Sequence, residues 1–344
     1  MPVVHVVLPG DIDDPATPSG GNSYDRRVCH GLAGAGWTVR EHGVPGEWPR
    51  ADGPARTRLA GVLATLPDGT VVLLDGLVAC AVPEVLAPHS RRLRLVVLVH
   101  MPLEDVTEAA ALACAAAVVT TSGWTRGRLL ERHRLPAGRV HVAEPGVDPA
   151  APATGTAEGT RLLCVAAVIP HKGHDVLVRA LAEVADRPWT LDCVGALTRD
   201  PAFVAGLRRQ VDALGLTDRV GLAGPRTGEA LDAAYAGADL LVLASRAETY
   251  GMVVTEALAR GVPVLATAVG GLPGALGRTA AGELPGLLVP PDDPAALADA
   301  LRRWLDGADL RDRLRGAARD RRATLPGWPA TATTIADVLD GLRA

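Results

Sequence analysis

The chain has 344 residues, room for two domains of ordinary size, and 48% of them are hydrophobic, so two cores can be built. A formal net charge of −4, with one Phe, three Tyr and six Trp, excludes a basic nucleic-acid surface and a base-stacking platform. The five cysteines, Cys29, Cys80, Cys114, Cys164 and Cys193, form no C-x-x-C pair and have no histidine at zinc spacing, which reads as free, mostly buried thiols in a reducing compartment. The opening MPVVHVVLPG lacks a basic n-region, and no apolar window approaches the length of a membrane span. The expectation is a cytoplasmic protein with no integral membrane segment.

In chain order, VVHVVLP (Val3 to Pro9) reads as a buried strand and Asn22 to Ala35 as a helix. VVLLDG (Val71 to Gly76), LRLVVLVH (Leu93 to His100), AAVVTTS (Ala116 to Ser122) and RVHVAEPG (Arg139 to Gly146) read as further strands. Continuous apolar strands separated by amphipathic segments imply a parallel sheet covered on both faces. DPAAPATGTAEGT (Asp148 to Thr160) is rich in Pro, Ala, Gly and Thr, has no periodicity and reads as a linker. The alternation then restarts. RLLCVAAV (Arg161 to Val168), TLDCVG (Thr190 to Gly195), RVGLAG (Arg219 to Gly224), ADLLVLAS (Ala238 to Ser245) and VPVLAT (Val262 to Thr267) read as strands, and His174 to Ala185 as a helix. From Pro294 to Ala344 the chain reads as helical, with breaks at Gly307, Gly316 and the GWP at Gly327. The expected fold class is α/β, two doubly wound Rossmann-like domains in series. In such folds ligands sit at the carboxyl ends of the strands, and two facing domains would put the site in the cleft between them.

The segment Arg246 to Pro273, RAETYGMVVTEALARGVPVLATAVGGLP, carries the clearest chemistry. Glu248 and Glu256 are separated by seven residues, with Glu248 after a strand and Glu256 expected a little over two turns into a helix. Backbone N–H groups at a helix start attract a diphosphate or sugar hydroxyls, and a carboxylate on that helix suits a vicinal diol such as a ribose. On spacing alone two such glutamates also fit a solvated helix face.

The complete string resembles the E-x7-E signature of retaining glycosyltransferase family 4, which has the GT-B fold. E-T-Y-G (Glu248 to Gly251), E-A-L-A-R-G-V-P-V (Glu256 to Val264) and G-G-L-P (Gly270 to Pro273) match that pattern nearly position for position. Weaker matches are GWTVREH (Gly36 to His42), SGWTRGRL (Ser122 to Leu129), EPGVD (Glu144 to Asp148) and PHKGHDVLVRAL (Pro170 to Leu181). The resemblance implies retaining, metal-independent hexosyl transfer from a nucleoside-diphosphate sugar, with UDP favoured, to a small-molecule or glycan acceptor. No cofactor beyond the nucleotide-sugar co-substrate and no metal is implied.

The resemblance also implies roles. Glu248 binds hydroxyls of the transferred sugar and Glu256 the ribose. Tyr250, Gly251 and Met252 offer backbone N–H groups. Lys172 neutralises the diphosphate leaving group, where C1–O cleavage creates negative charge. In the first half, TPSGGNSYDRR (Thr17 to Arg27) reads as a turn whose paired glycines let the backbone approach a ligand, and the resemblance puts Gly21 and Asn22 at the donor. It also puts His100 at the transferred sugar, although a strand-end histidine is an ordinary structural residue too. The implied organisation is an acceptor domain over residues 1–150, a donor domain over 151–326, and a last helix, 327–344, returning to the first domain.

One departure stands out. The family usually carries an arginine five residues before the lysine, and Ala166 and Ala167 occupy the matching stretch here. Arg226, in GPRTG, and His171 are the candidate replacements, and Arg226 reads equally well as a solvated loop residue. Three signals are set aside. D-I-D at Asp11 to Asp13 reads as loop and not as a metal motif, the arginine-rich run Arg311 to Arg322 with its interleaved aspartates as a solvated helix, and Trp328 as packing. The alternatives kept are a catalytically weak nucleotide-sugar-binding protein and a sugar-nucleotide epimerase on the same fold.

Overall fold

The computed structural model describes residues 1–14 and 19–343. The chain divides into two units, one formed by Met1–Asp14, Ser19–Gly146 and the stretch from Pro326 onward, the other by Val147–Leu325.

The first unit runs β1 (Val3–Pro9), α1 (Gly20–Gly34), β2 (Thr38–Val44), α2 (Gly53–Thr65), β3 (Val71–Asp75), α3 (Gly76–Ala79), α4 (Pro83–Leu86), β4 (Arg94–Val99), α5 (Val106–Cys114), β5 (Ala117–Thr120), α6 (Gly123–His133) and β6 (Val140–Val142). Its sheet is parallel, in the order β2-β1-β3-β4-β5-β6. The strand residues alternate between two cores. Val7, Val72, Leu74, Val97 and Val99 fill one face, and Val6, Leu8, Leu73, Val96 and Leu98 the other. This two-residue period explains why the strands read as unbroken apolar runs, since both faces are covered.

The second unit runs β7 (Arg161–Val165), α7 (His174–Ala182), β8 (Thr190–Val194), α8 (Pro201–Ala213), β9 (Val220–Gly224), α9 (Gly228–Ala236), β10 (Leu240–Leu243), α10 (Met252–Ala259), β11 (Val264–Thr267), α11 (Leu272–Leu276), β12 (Gly286–Val289), α12 (Pro294–Asp306) and α13 (Ala308–Arg322). Its sheet is also parallel, ordered β12-β11-β10-β7-β8-β9, with β7 and β10 at the centre. The last helix, α14 (Trp328–Gly341), belongs to the first unit. Ile335, Ala336 and Leu339 of α14 close the core against α1, and the Thr331 hydroxyl donates to the Glu144 carbonyl at 2.7 Å.

Several local expectations are corrected. The helix expected from Asn22 begins at Gly20, because Ser19 caps it and accepts from the Asn22 N–H at 3.1 Å. The paired glycines therefore form its first turn; Thr17 and Pro18 of that segment lie outside the described residues. Strand β12 was not anticipated: it is an edge strand, half-buried at Leu287 and Leu288, in a stretch punctuated by Gly282, Pro285, Pro290 and Pro291. Gly316 lies inside α13 and breaks nothing. The Pro/Gly-rich stretch before β7 is bound to its own unit: Asp239, buried, accepts from the Thr156 N–H and Oγ1 and the Arg161 N–H. The arginine-rich run is partly structural, with Arg311 donating to the Trp304 carbonyl, Arg315 to that of Thr156 and Arg322 to those of Ala259 and Ala150.

Candidate active site

The donor-side residues gather where β7 and β10 end. Beyond β10, Ser245 is buried and its hydroxyl donates to Glu248 Oε1 at 3.0 Å. Lys172 Nζ donates to the same oxygen at 2.7 Å. Lys172 comes from the turn between β7 and α7, so the fold joins two motifs that are 76 positions apart. Glu248 Oε2 has no partner among the described residues. The pair is largely shielded, with side-chain exposures of 21% and 11%.

The G-G-x-P motif holds the Glu248 turn. A Cβ on Gly270 would lie 1.7 Å from the Glu248 carbonyl oxygen, and Gly270 has φ +54°. Only glycine permits both the approach and the dihedral. The Gly271 N–H donates to that same carbonyl at 2.9 Å. Arg246 braces the other side. It contacts Asp175 at 2.9 Å and Asp292 at 2.6 Å and donates to the Pro170 carbonyl, so it is a strut between loops.

Helix α10 starts at Met252 with Gly251 as its cap residue and no side-chain cap. Among the described residues the N–H groups of Gly251 and Met252 have no backbone acceptor, which leaves them available to an anion. Tyr250 is buried with its ring in the core, so only its backbone faces the turn. Glu256 is the fifth residue of α10, one turn in, and not the two turns expected from spacing. The seven-residue gap is mostly turn. The buried Tyr235 donates its hydroxyl to Glu256 Oε2 at 2.8 Å, and Arg260 lies over the Tyr235 ring at 4.6 Å. Burial pushes the Glu256 carboxyl up, against the opposing pull of the Tyr235 hydrogen bond and Arg260. Tyr235 had no signature in the sequence.

Ala166 and Ala167 bring no charge to the end of β7. Their strand end is held by hydrogen bonds from the Ala166 N–H to Val194 and from the Val168 N–H to Ala196, at 3.0 and 2.9 Å. Of the candidate replacements, Arg226 lies between β9 and α9, half-buried, with no ion-pair partner among the described residues. His171 is exposed, and partial desolvation, then Lys172 and Arg199, hold its imidazole below the ordinary range. It is therefore a neutral donor at neutral pH and a poor stand-in for a cation. Arg199, in the loop before α8, was not anticipated.

In the first unit, His100 follows β4 at the sheet's carboxyl end. Its Nε2 is 2.8 Å from Asp25 Oδ1 and 3.6 Å from Asp75 Oδ2. Burial opposes a charge on His100, but the two carboxylates outweigh it and raise its pKa to about 9. Gly21 lies against the ring, where a Cβ would sit 3.5 Å from Cδ2. The sequence reading named His100 and Gly21 but neither aspartate. Asn22 spends its N–H on the cap of α1. Asp13 is occupied by Arg26 at 2.6 and 2.5 Å, and Trp328 packs edge-on to Tyr24 at 5.7 Å.

Two parallel six-stranded units, with cations and carboxylates at the carboxyl ends of the strands, define a GT-B fold. The structural relatives agree. The sucrose-phosphate synthase of Thermosynechococcus elongatus superposes with a TM-score of 0.79 at 22% identity, covering 99% of each chain. Anabaena HepE, solved in complex with UDP and glucose, gives 0.78 at 19% identity, also over 99% of each chain. Residues 153–321 match the family described as Glycosyl transferases group 1. The chain is 37% identical over 237 residues to the D-inositol 3-phosphate glycosyltransferase of Salinispora tropica, covering 62% of this chain and 48% of the relative. For the enzyme of the same name from Kineococcus radiotolerans the identity is 35% over 247 residues, covering 64% and 56%. The chain thus spans about half the length of the curated relatives it matches. Among the described residues, no helix is long and apolar enough to cross a membrane.

Proposed function

We propose that the chain is a retaining hexosyltransferase that takes a sugar from a nucleoside-diphosphate sugar, with UDP as the nucleotide, and needs no metal. The observation that carries this reading is the junction of Lys172 and Glu248 at 2.7 Å beside an uncapped helix start. A bound donor would bring its diphosphate to Lys172 and to the N–H groups of Gly251 and Met252. Glu256, aligned by Tyr235, would take the ribose diol. Glu248, released from Lys172 by the competing phosphate, would take sugar hydroxyls through its unpartnered oxygen.

Cleavage of the C1–O bond loads charge onto the leaving diphosphate, and a preorganised ammonium stabilises that charge without a metal. In a front-face route the departing phosphate oxygen takes the acceptor proton, so no enzymic base is required. Rate then comes from positioning and electrostatics. In this reading the first unit takes the acceptor, with His100 and Gly21 as its sugar-contacting residues. The name of the curated relatives supports an acceptor of the phosphorylated cyclitol class, presented through a hydroxyl.

Calorimetry with UDP, GDP and ADP tests the donor assignment; binding of none of them below about 1 mM rejects it. A second reading, a weak nucleotide-sugar-binding protein, draws on the uncharged Ala166 and Ala167. Slow hydrolysis of a UDP-sugar by the purified chain decides against it, and tight binding without any release of UDP decides for it.

A further inference from the structure

Three elements of the first unit converge on one imidazole. Asp75 is the last residue of β3, His100 follows β4, which pairs with β3 in the sheet, and Asp25 lies in the second turn of α1. One carboxylate oxygen of each aspartate and a ring nitrogen of His100 all lie within 4.8 Å of one another. Exposure of the side chains is 1% for Asp25, 3% for Asp75 and 14% for His100, so water does not dilute the interactions. Asp75 Oδ1 accepts from the Leu77 N–H at 2.6 Å. Asp25 Oδ2 is buried and has no hydrogen-bond donor.

That orphan oxygen identifies the charge state. Two buried carboxylates and one imidazolium carry an excess negative charge, which is costly in a low dielectric. One proton on Asp75, beside Asp25, removes the excess. Asp75 follows this logic: burial and then the neighbouring Asp25 push its carboxyl up to about 7. The charged side chains acting on His100 among the described residues are Asp25 from α1 and Asp75 from β3. Tyr24, also on α1, meets the ring edge-on at 5.2 Å, and its hydroxyl is committed to the Ala143 carbonyl at 2.7 Å. Gly21 leaves room beside the ring. The ring is thus clamped by α1, and Nδ1 has no partner among the described residues.

We propose that Asp25 and Asp75 are positioning residues for His100: together they hold the imidazole doubly protonated through Nε2, and leave Nδ1–H as a fixed, charged donor. The proposal rests on the functional reading above for what Nδ1–H meets, an oxygen of a sugar substrate. It does not rest on that reading for the charge state.

The test is a pH titration of the full-length, 15N-histidine-labelled chain by long-range 1H–15N NMR, with the His100 signal assigned by its loss in His100→Gln. The expected result is an imidazole protonated at both nitrogens to above about pH 8. Titration near the ordinary 6.5 overturns the proposal without any further variant. In Asp25→Asn the midpoint should fall by about one pH unit or more, and in Asp75→Asn by less, since Asp25 makes the closer contact. An unchanged midpoint in folded Asp25→Asn also overturns it. In turnover assays Asp25→Asn should move the alkaline limb of the kcat profile to lower pH while the donor KM stays nearly constant, a signature that mere structural support would not produce. Perturbation of the His100 nitrogens by micromolar Zn²⁺ or Mn²⁺ would make the cluster a cation site and overturn the proposal. The titration needs no substrate, so absence of UDP binding sinks the donor assignment alone, and an ordinary His100 sinks this one alone.

Discussion

Gly173 lies against the backbone of Ala244. With φ at +68°, its Cα is so close that a Cβ would stand 1.9 Å from the Ala244 carbonyl oxygen. Ala244 directly follows β10, and Lys172 directly precedes Gly173. The lysine that the sequence pairs with a glycine is thereby pressed toward the strand end that leads to Glu248. The K-G dipeptide is a docking device as much as a charge.

Gly173→Ala should therefore displace the Lys172 turn. The left-handed backbone alone costs about 1–2 kcal/mol for a residue with a Cβ, and the contact with a backbone oxygen adds to it. The expected outcome is a lower melting temperature together with weaker UDP binding, read by calorimetry. Native UDP affinity in a folded Gly173→Ala chain would show that the turn does not serve the phosphate.

Removing the cation should act on both rate and stability. Lys172→Ala leaves the Glu248 carboxylate, 11% exposed, without its counter-ion, a loss of about 3–5 kcal/mol for a fully buried pair and less for this one, whereas one preorganised donor to a leaving group is worth about 10²–10³ in turnover. Lys172→Ala should melt below the wild type and lose at least that factor in kcat, because Ala166 and Ala167 offer no second charge. Arg226→Ala run in parallel measures how far Arg226 fills the gap. If both variants turn over at the native rate, the leaving-group site lies elsewhere.

Tyr235→Phe probes the ribose carboxylate. Burial already raises the Glu256 carboxyl, and the tyrosine hydrogen bond works against that rise. Without the hydroxyl the carboxyl should rise further. If the ionised form binds the ribose, UDP affinity in the variant should fail at a higher pH than in the wild type as the solution is acidified. A loss of about 1 kcal/mol at neutral pH is expected for one hydrogen bond. Identical affinity–pH curves for the two proteins would separate Glu256 from the nucleotide.

The His100 cluster should leave a mark on stability. Its pKa is raised from 6.5 to about 9 on folding, so its contribution is fully present below pH 6.5 and is lost as pH rises through 9. The raised Asp75 carboxyl has the same sense at lower pH, since the folded chain keeps a proton that the unfolded chain releases between about 4 and 7. Denaturant melts of wild type and His100→Gln should therefore show a stability difference that shrinks between pH 6.5 and 9. A difference that grows over that interval contradicts the charged imidazole.

Most strands of both sheets were legible in the sequence because strands buried on both faces leave continuous apolar runs, as in Val71–Asp75 and Leu240–Leu243. The family signature was legible because Glu248, Glu256, Gly270 and Gly271 lie close together in the chain, held there by local needs of turn and helix. Short or weakly patterned pieces were not. Strand β12 is a half-buried edge strand set among prolines and glycines, and the glycines at 20 and 21 read as a loop although Ser19 caps them into a helix. The partnerships were invisible for a different reason. Lys172 and Glu248 are 76 positions apart, Tyr235 and Glu256 are 21, and Asp25 and His100 are 75. No spacing rule links such residues; the parallel sheets do, by ending their strands at one edge. Residue type and local pattern therefore determined the elements and the chemistry available. Which carboxylate faces which cation, and in what state of protonation, was decided by burial and by the order in which the strands lie side by side.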